Sequence, residues 1–214
     1  RFCGSAIAWR YFAVELITGL VFLGVWRACG PGPQVVPGWV FASVVIAVVF
    51  TDLDHMIIPD KLVVAGLAAA LLSEGLLVAG GHARPLSVPV PGTALALPRF
   101  AAGGLVGLAV FAFIRGFSQV LFRREGMGLG DVKLAGAIGA MLGPALALVS
   151  FGLAIAAGAV LGVLLLVVRL RRRMEYLPFG PFLAAAALVA LLAPGRLMGA
   201  AEGIYFRWLG MLTP

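Results

Sequence analysis

Long apolar runs, cut by short polar punctuation, set the pattern of this chain. Seven can be marked out, at 11–28, 35–51, 60–80, 98–121, 131–149, 151–169 and 178–194. A helix that crosses a bilayer needs about 20 apolar residues, with a range near 17–25. Most of the runs reach that length, and residues flanking the shorter ones can extend them. None shows the alternation of apolar and polar positions that a membrane β-barrel requires. The pattern therefore predicts an all-α, polytopic membrane bundle of about seven helices. Turn residues mark the cuts. Gly30-Pro31-Gly32-Pro33 closes the first run, Pro85, Pro89, Pro91 and Pro98 populate a loop over 81–98, and Gly143-Pro144 marks a tight turn or kink. The stretch 200–212 is too short and too charged to span, and its Tyr205, Phe206 and Trp208 suit an interfacial anchor. No internal repeat is visible.

Composition strengthens this picture. The chain is 62% hydrophobic and 12% charged, with a mean hydropathy of +1.09. Soluble domains are roughly 45–50% apolar and about 25% charged. The net charge is +7, but Lys and Arg flank the apolar runs and form no basic stripe, which argues against nucleic acid as a partner. Their positions instead report orientation. If the runs alternate across the bilayer, one side collects Arg1, Arg10, Lys61, Arg123, Arg124, Lys133, Arg169, Arg171, Arg172 and Arg173. The other holds Arg27, Arg84, Arg99, Arg196 and Arg207, while Arg115 lies inside a run, nearer the first side. The richer side is expected to be cytoplasmic. Cys3 and Cys29 stand at opposite ends of the first run. A helix of about 26 residues is about 39 Å long, and a disulfide needs Cα atoms within about 7 Å, so no intrachain disulfide is expected.

Five of the nine acidic residues fall in two short clusters. One is Asp52-Leu53-Asp54-His55, closed by Pro59-Asp60. The other is Glu125-Gly126-Met127-Gly128-Leu129-Gly130-Asp131. Alternation of the runs puts both on the cytoplasmic face. Carboxylates beside hydrocarbon are costly, which points to a working site. Asp52 follows the apolar run Val44 to Phe50 with only Thr51 between, so it is placed at the inner end of its helix. Pro59 stops that helix, and Asp60 is placed to N-cap the next. Asp54 and His55 read as solvated loop residues. In the second cluster Gly126, Gly128 and Gly130 let backbone approach closely. Asp131 opens the helix that follows, where the helix dipole favours its charge. The Lys-Ser/Thr of a phosphate-binding loop is absent.

Two carboxylates brought together at one face form an acid–base pair. One, ionised, takes a proton from water, while the other, protonated, polarises a scissile carbonyl. Such a pair titrates as a unit. No cluster has metal-ligand spacing, and His55 and His82 fall on opposite faces, so no Ser-His pair competes. A proton-coupled transporter is the alternative from another class. Transporters place ionisable groups near the midplane, often within inverted repeats, and neither is visible here. A scaffold without chemistry ranks below both.

These motifs resemble the type IV prepilin peptidases, a family of Gly-x-Gly-Asp membrane aspartic proteases. Cys3-Gly4 through Trp9-Arg10-Tyr11, with Val14-Glu15-Leu16 and Thr18-Gly19, is similar to the family's entry into its second span. Asp52-Leu53-Asp54-His55 with Ile58-Pro59-Asp60 resembles the segment of the first catalytic aspartate. Glu125 to Leu134 resembles that of the second, and Pro178-Phe179-Gly180-Pro181-Phe182-Leu183-Ala184 matches a further signature. Four motifs in order cover nearly the whole chain.

The resemblance implies that Asp52 and Asp131 are the catalytic pair, with Gly128, Gly130 and Lys133 shaping the loop around them. It implies prepilin or pseudopilin substrates, cut after a Gly at the cytoplasmic face of the bacterial inner membrane. Asp54, Asp60 and Glu125 would attract the basic leader, and the apolar helix behind it would dock between spans. Family members usually have eight spans and a cytoplasmic domain carrying two Cys-x-x-Cys pairs. Residues 1–10 are thus expected to be a remnant of that domain, with 11–214 the membrane-embedded peptidase. Cys3 would be one ligand of a zinc site completed only by that domain, and its presence speaks against the preflagellin and tight-adherence pilus peptidases. Proteolysis needs no cofactor. S-adenosylmethionine would serve the N-methylation that many members also perform.

Overall fold

In a computed structural model the chain is described for residues 9–82, 86–90, 93–122, 127–168 and 178–212. Helix α1 covers Trp9–Cys29, α2 Val35–His55 and α3 Asp60–Ala79. Strands β1 (Leu86–Val90) and β2 (Thr93–Leu97) follow. Then come α4 (Arg99–Phe122), α5 (Leu129–Leu142), α6 (Pro144–Val167), α7 (Gly180–Leu192) and α8 (Pro194–Leu212). The class is all-α, as the apolar runs predict. The expected loop at 81–98 carries a small antiparallel hairpin, with Leu86 opposite Leu97 and Val90 opposite Thr93. Proline at 89 and 91 hid its alternation.

Seven spans were expected. Among the described residues five helices, α1, α2, α3, α4 and α6, are long and apolar enough to cross a membrane, and α7 with the first part of α8 makes a sixth if the bent pair counts as one. Two expected boundaries move. The runs 131–149 and 151–169 divide at Gly143, not at Ser150. Gly143 has φ +80°, a conformation glycine adopts without cost, and Pro144 starts a new helix after it. Helix α5 is therefore only 14 residues, about 21 Å long. The last run likewise stops at Leu192, and Pro194 starts α8 after a bend of 101°. The stretch read as a short interfacial anchor is the second half of this helix.

Small residues govern the tightest packing. Gly103 and Gly107 of α4 face Gly139 and Ala135 of α5, and a Cβ added at Gly103, Gly107 or Gly139 would run into the opposing carbonyl. The helices meet backbone to backbone, the geometry small residues allow between membrane helices. Behind them lies the core. Phe41, Val45 and Val48 of α2 pack with Leu134 and Ile138 of α5 and Leu183 of α7, all fully buried. Phe111 of α4 and Phe151 of α6 meet edge-on with centroids 5.0 Å apart.

Helix polarity follows from the end contacts. Arg99 Nη2, at the start of α4, donates to the Leu142 carbonyl at the end of α5 at 2.7 Å. The Arg99 backbone N–H also bonds Glu74 near the end of α3. The start of α3, the start of α5 and the end of α2 gather at the opposite end of the bundle, around one cleft.

Candidate active site

Both expected aspartates line that cleft, which measures about 270 Å³. Asp52 lies in the last turn of α2. The helix runs past it to His55, one turn beyond the apolar run, and ends at Met56. Met56 takes the left-handed conformation (φ 52°), and its N–H bonds the Asp52 carbonyl at 2.9 Å. A non-glycine residue there is strained, and the turn bends the chain from α2 toward Ile58 and Pro59. Asp131 occupies the first turn of α5, three residues after the cap Gly128. The Gly128 backbone N–H bonds its carboxylate, in the manner of the return half of a capping box. Asp131 is thus not the cap itself.

The two carboxylates share this cleft, and like charges within one shielded site oppose simultaneous ionisation. Asp52 is only 5% exposed. The Gly180 backbone N–H acts on its carboxylate, yet Oδ2 has no hydrogen-bond partner. A buried oxygen in that condition carries a real cost, one that an incoming donor would relieve.

Other expected site residues fall into place unevenly. Gly128 and Gly130 line the cleft, and a Cβ on Gly130 would come within 3.1 Å of Ile58. Asp60 does not N-cap α3. Pro59 holds the cap position and its side chain has no acceptor to close it, while the Asp60 carboxylate, one residue inside the helix, accepts from Lys133 Nζ at 2.7 Å. The ion pair bridges α3 and α5 at the rim. Asp54 is ion-paired with Arg10 of α1, whose guanidinium lies 5.3 Å from the Phe50 ring centroid. Asp54 is therefore helical and partnered, not a free loop residue. Glu125 and Cys3 lie outside the described residues. Among the described residues no three His, Cys, Asp or Glu side chains gather as metal ligands, and Cys29 is free, so nothing there fits a zinc site.

One contact escaped the choice of site residues. Gly180, at the start of α7, presses directly on Asp52: a Cβ there would strike Oδ2 and come within 3.0 Å of Cγ. The motif Phe179-Gly180-Pro181 was visible, but no sequence signal told what the glycine faces.

Residues 39–163 match the type IV leader peptidase family. The chain belongs to that family. Among curated proteins it is 34% identical over 192 residues to a prepilin leader peptidase/N-methyltransferase of Aeromonas salmonicida strain A449, covering 90% of this chain and 61% of that one. A protein of the same name from Myxococcus xanthus is 34% identical, over 78% of this chain and 45% of its own length. Another, from Bacillus subtilis strain 168, is 30% identical over 89% and 68%. The chain thus spans about three fifths of the Aeromonas relative. No solved structure matches. Within the family match lie Asp52 and Asp131, together with the glycines that pack α4 on α5.

Proposed function

We propose that the chain is a membrane aspartic endopeptidase that removes the basic leader from type IV prepilins or type II secretion pseudopilins. Cleavage would follow a Gly at the cytoplasmic face of the bacterial inner membrane. The observation that carries this reading is the placement of the pair: a buried Asp52 with an unpartnered Oδ2 sharing a cleft with Asp131. One carboxylate accepts a proton from water as it attacks the scissile carbonyl, and the other donates its proton to the carbonyl oxygen. The proton then passes to the departing amine. The pair acts with one proton between its members, so no metal or cofactor enters the step. The orientation rests on Arg10 and Lys133, basic residues at the cleft end of the bundle.

The relatives' names add an N-methyltransferase. Methylation of the new N-terminus from S-adenosylmethionine is proposed for the full-length protein, and no residue of this chain is assigned to it.

The test uses purified protein in lipid and a prepilin carrying its leader. Asp52→Asn and Asp131→Asn should each reduce cleavage by about 10³-fold or more, while Asp60→Asn retains part of it. Full-rate cleavage by either of the first two variants would overturn the aspartic assignment.

A further inference from the structure

A second opening adjoins the cleft. Helix α3 and helix α4 stand apart, and between them lies an apolar cavity of about 380 Å³. Val63, Val64 and Leu67 form one wall and Leu108 the other, over a floor that includes Gly136 and Ala137 of α5. Asp60 and Lys133 line both this cavity and the cleft, so the two meet at that ion pair. Farther along the same two helices lies another opening, of about 600 Å³, lined by Leu71, Gly75 and Val78 of α3 and by Phe100 of α4.

Along α3 the lining positions 60, 63, 64, 67, 71, 74, 75 and 78 recur at the spacing of a single helical face. They extend over about 27 Å at 1.5 Å per residue, close to the roughly 30 Å of hydrocarbon in a bilayer. Val64 is 63% exposed and Val78 60%. Apart from Asp60 and Glu74, which are held by Lys133 and the Arg99 backbone N–H, the face is apolar and of membrane length, and one end opens beside the aspartates.

We infer that this α3–α4 groove seats the apolar transmembrane helix of the protein being cleaved, and so delivers the bond at its cytoplasmic end to Asp52 and Asp131. The inference rests on the proteolytic reading and adds where the substrate binds. One observation favours a peptide helix over a lipid. The cleft end presents Asp52, Asp60 and Asp131 against one Lys133. That end repels a phosphate headgroup and attracts a basic segment, so the occupant should be apolar along its length and cationic at the cleft.

The test is photo-crosslinking in proteoliposomes. A benzophenone amino acid is placed at Val64, at Leu71 and, as a control equally open to lipid, at Val160 of α6, which is 70% exposed. Each is built on the Asp131→Asn background and mixed with an intact prepilin. Adducts to the apolar helix from positions 64 and 71, but not 160, support the groove. Adducts to lipid alone, to a second copy of this chain, or equally from all three positions overturn it. This readout does not need cleavage, so it separates failure of the groove from failure of the protease reading. On the active background, Val64→Trp and Leu71→Trp should raise KM for the intact prepilin about tenfold. They should leave cleavage of a leader peptide truncated just beyond the scissile bond within about twofold, a loss too small to reflect a lost binding contact. Equal losses on both substrates would overturn the inference.

Discussion

Gly180→Ala is the smallest change that should disable the site. The added methyl would point at Asp52, within 3.0 Å of Cγ and 3.3 Å of Ile58 Cδ1. Glycine at the start of α7 is buried, and Leu183 behind it is fully packed, so the helix cannot retreat easily. Either α7 shifts or the Asp52 carboxylate swings away from Asp131. Overpacking of this kind costs about 1–3 kcal/mol of stability. The catalytic loss should be larger, since a misplacement near 1 Å costs on the order of 10²-fold in rate, or about 2.7 kcal/mol in barrier. The assay is kcat for leader cleavage beside a thermal-unfolding midpoint, both in the same lipid. Gly152→Ala is the control, because nothing lies within 4 Å of a Cβ at that glycine. The expected result is a fall in kcat with KM little changed, and no effect in the control. Wild-type kcat in Gly180→Ala would refute the claim that α7 holds Asp52 in place.

Three further outcomes follow from the same geometry. Met56 sits at φ 52°, so Met56→Val should lower stability by about 1–2 kcal/mol, whereas Met56→Gly should match or exceed the wild type in a denaturation series. Lys133→Met breaks an ion pair whose members are 49% and 72% exposed. Its stability cost should stay below about 1 kcal/mol, read as a small shift in midpoint that high salt erases. Because the proposed step uses two carboxylates alone, a metal chelator and serine-directed inhibitors should leave the cleavage rate unchanged, as measured by leader release.

The class of fold and the two aspartates could be read from the chain because each leaves a one-dimensional mark. Hydropathy reports burial in lipid, and an Asp beside an apolar run reports cost. The start of α3 and the end of α5 were harder. Asp60 looked like a cap, since Asp before an apolar run usually is one, but Lys133 lies 73 positions away and claimed the carboxylate. The division at Ser150 followed from polarity, yet Ser150 is fully buried. The true break at Gly143 is a matter of backbone dihedral, which hydropathy does not register, although Gly143-Pro144 marked a turn or kink there. Gly180 was part of a recognised motif without a role, because a glycine's function here lies in what presses on it.

The backbone contact between α4 and α5 has a mechanical consequence. Helices separated by side chains can turn or slide by repacking rotamers. Gly103, Gly107 and Gly139 leave no such cushion, so α5 is keyed to α4 like a shaft in a slot. A screw step of one residue would turn Asp131 by about 100° away from Asp52. Any adjustment of the spacing between the two carboxylates must therefore carry α4 and α5 together as one body, or move α2 against them.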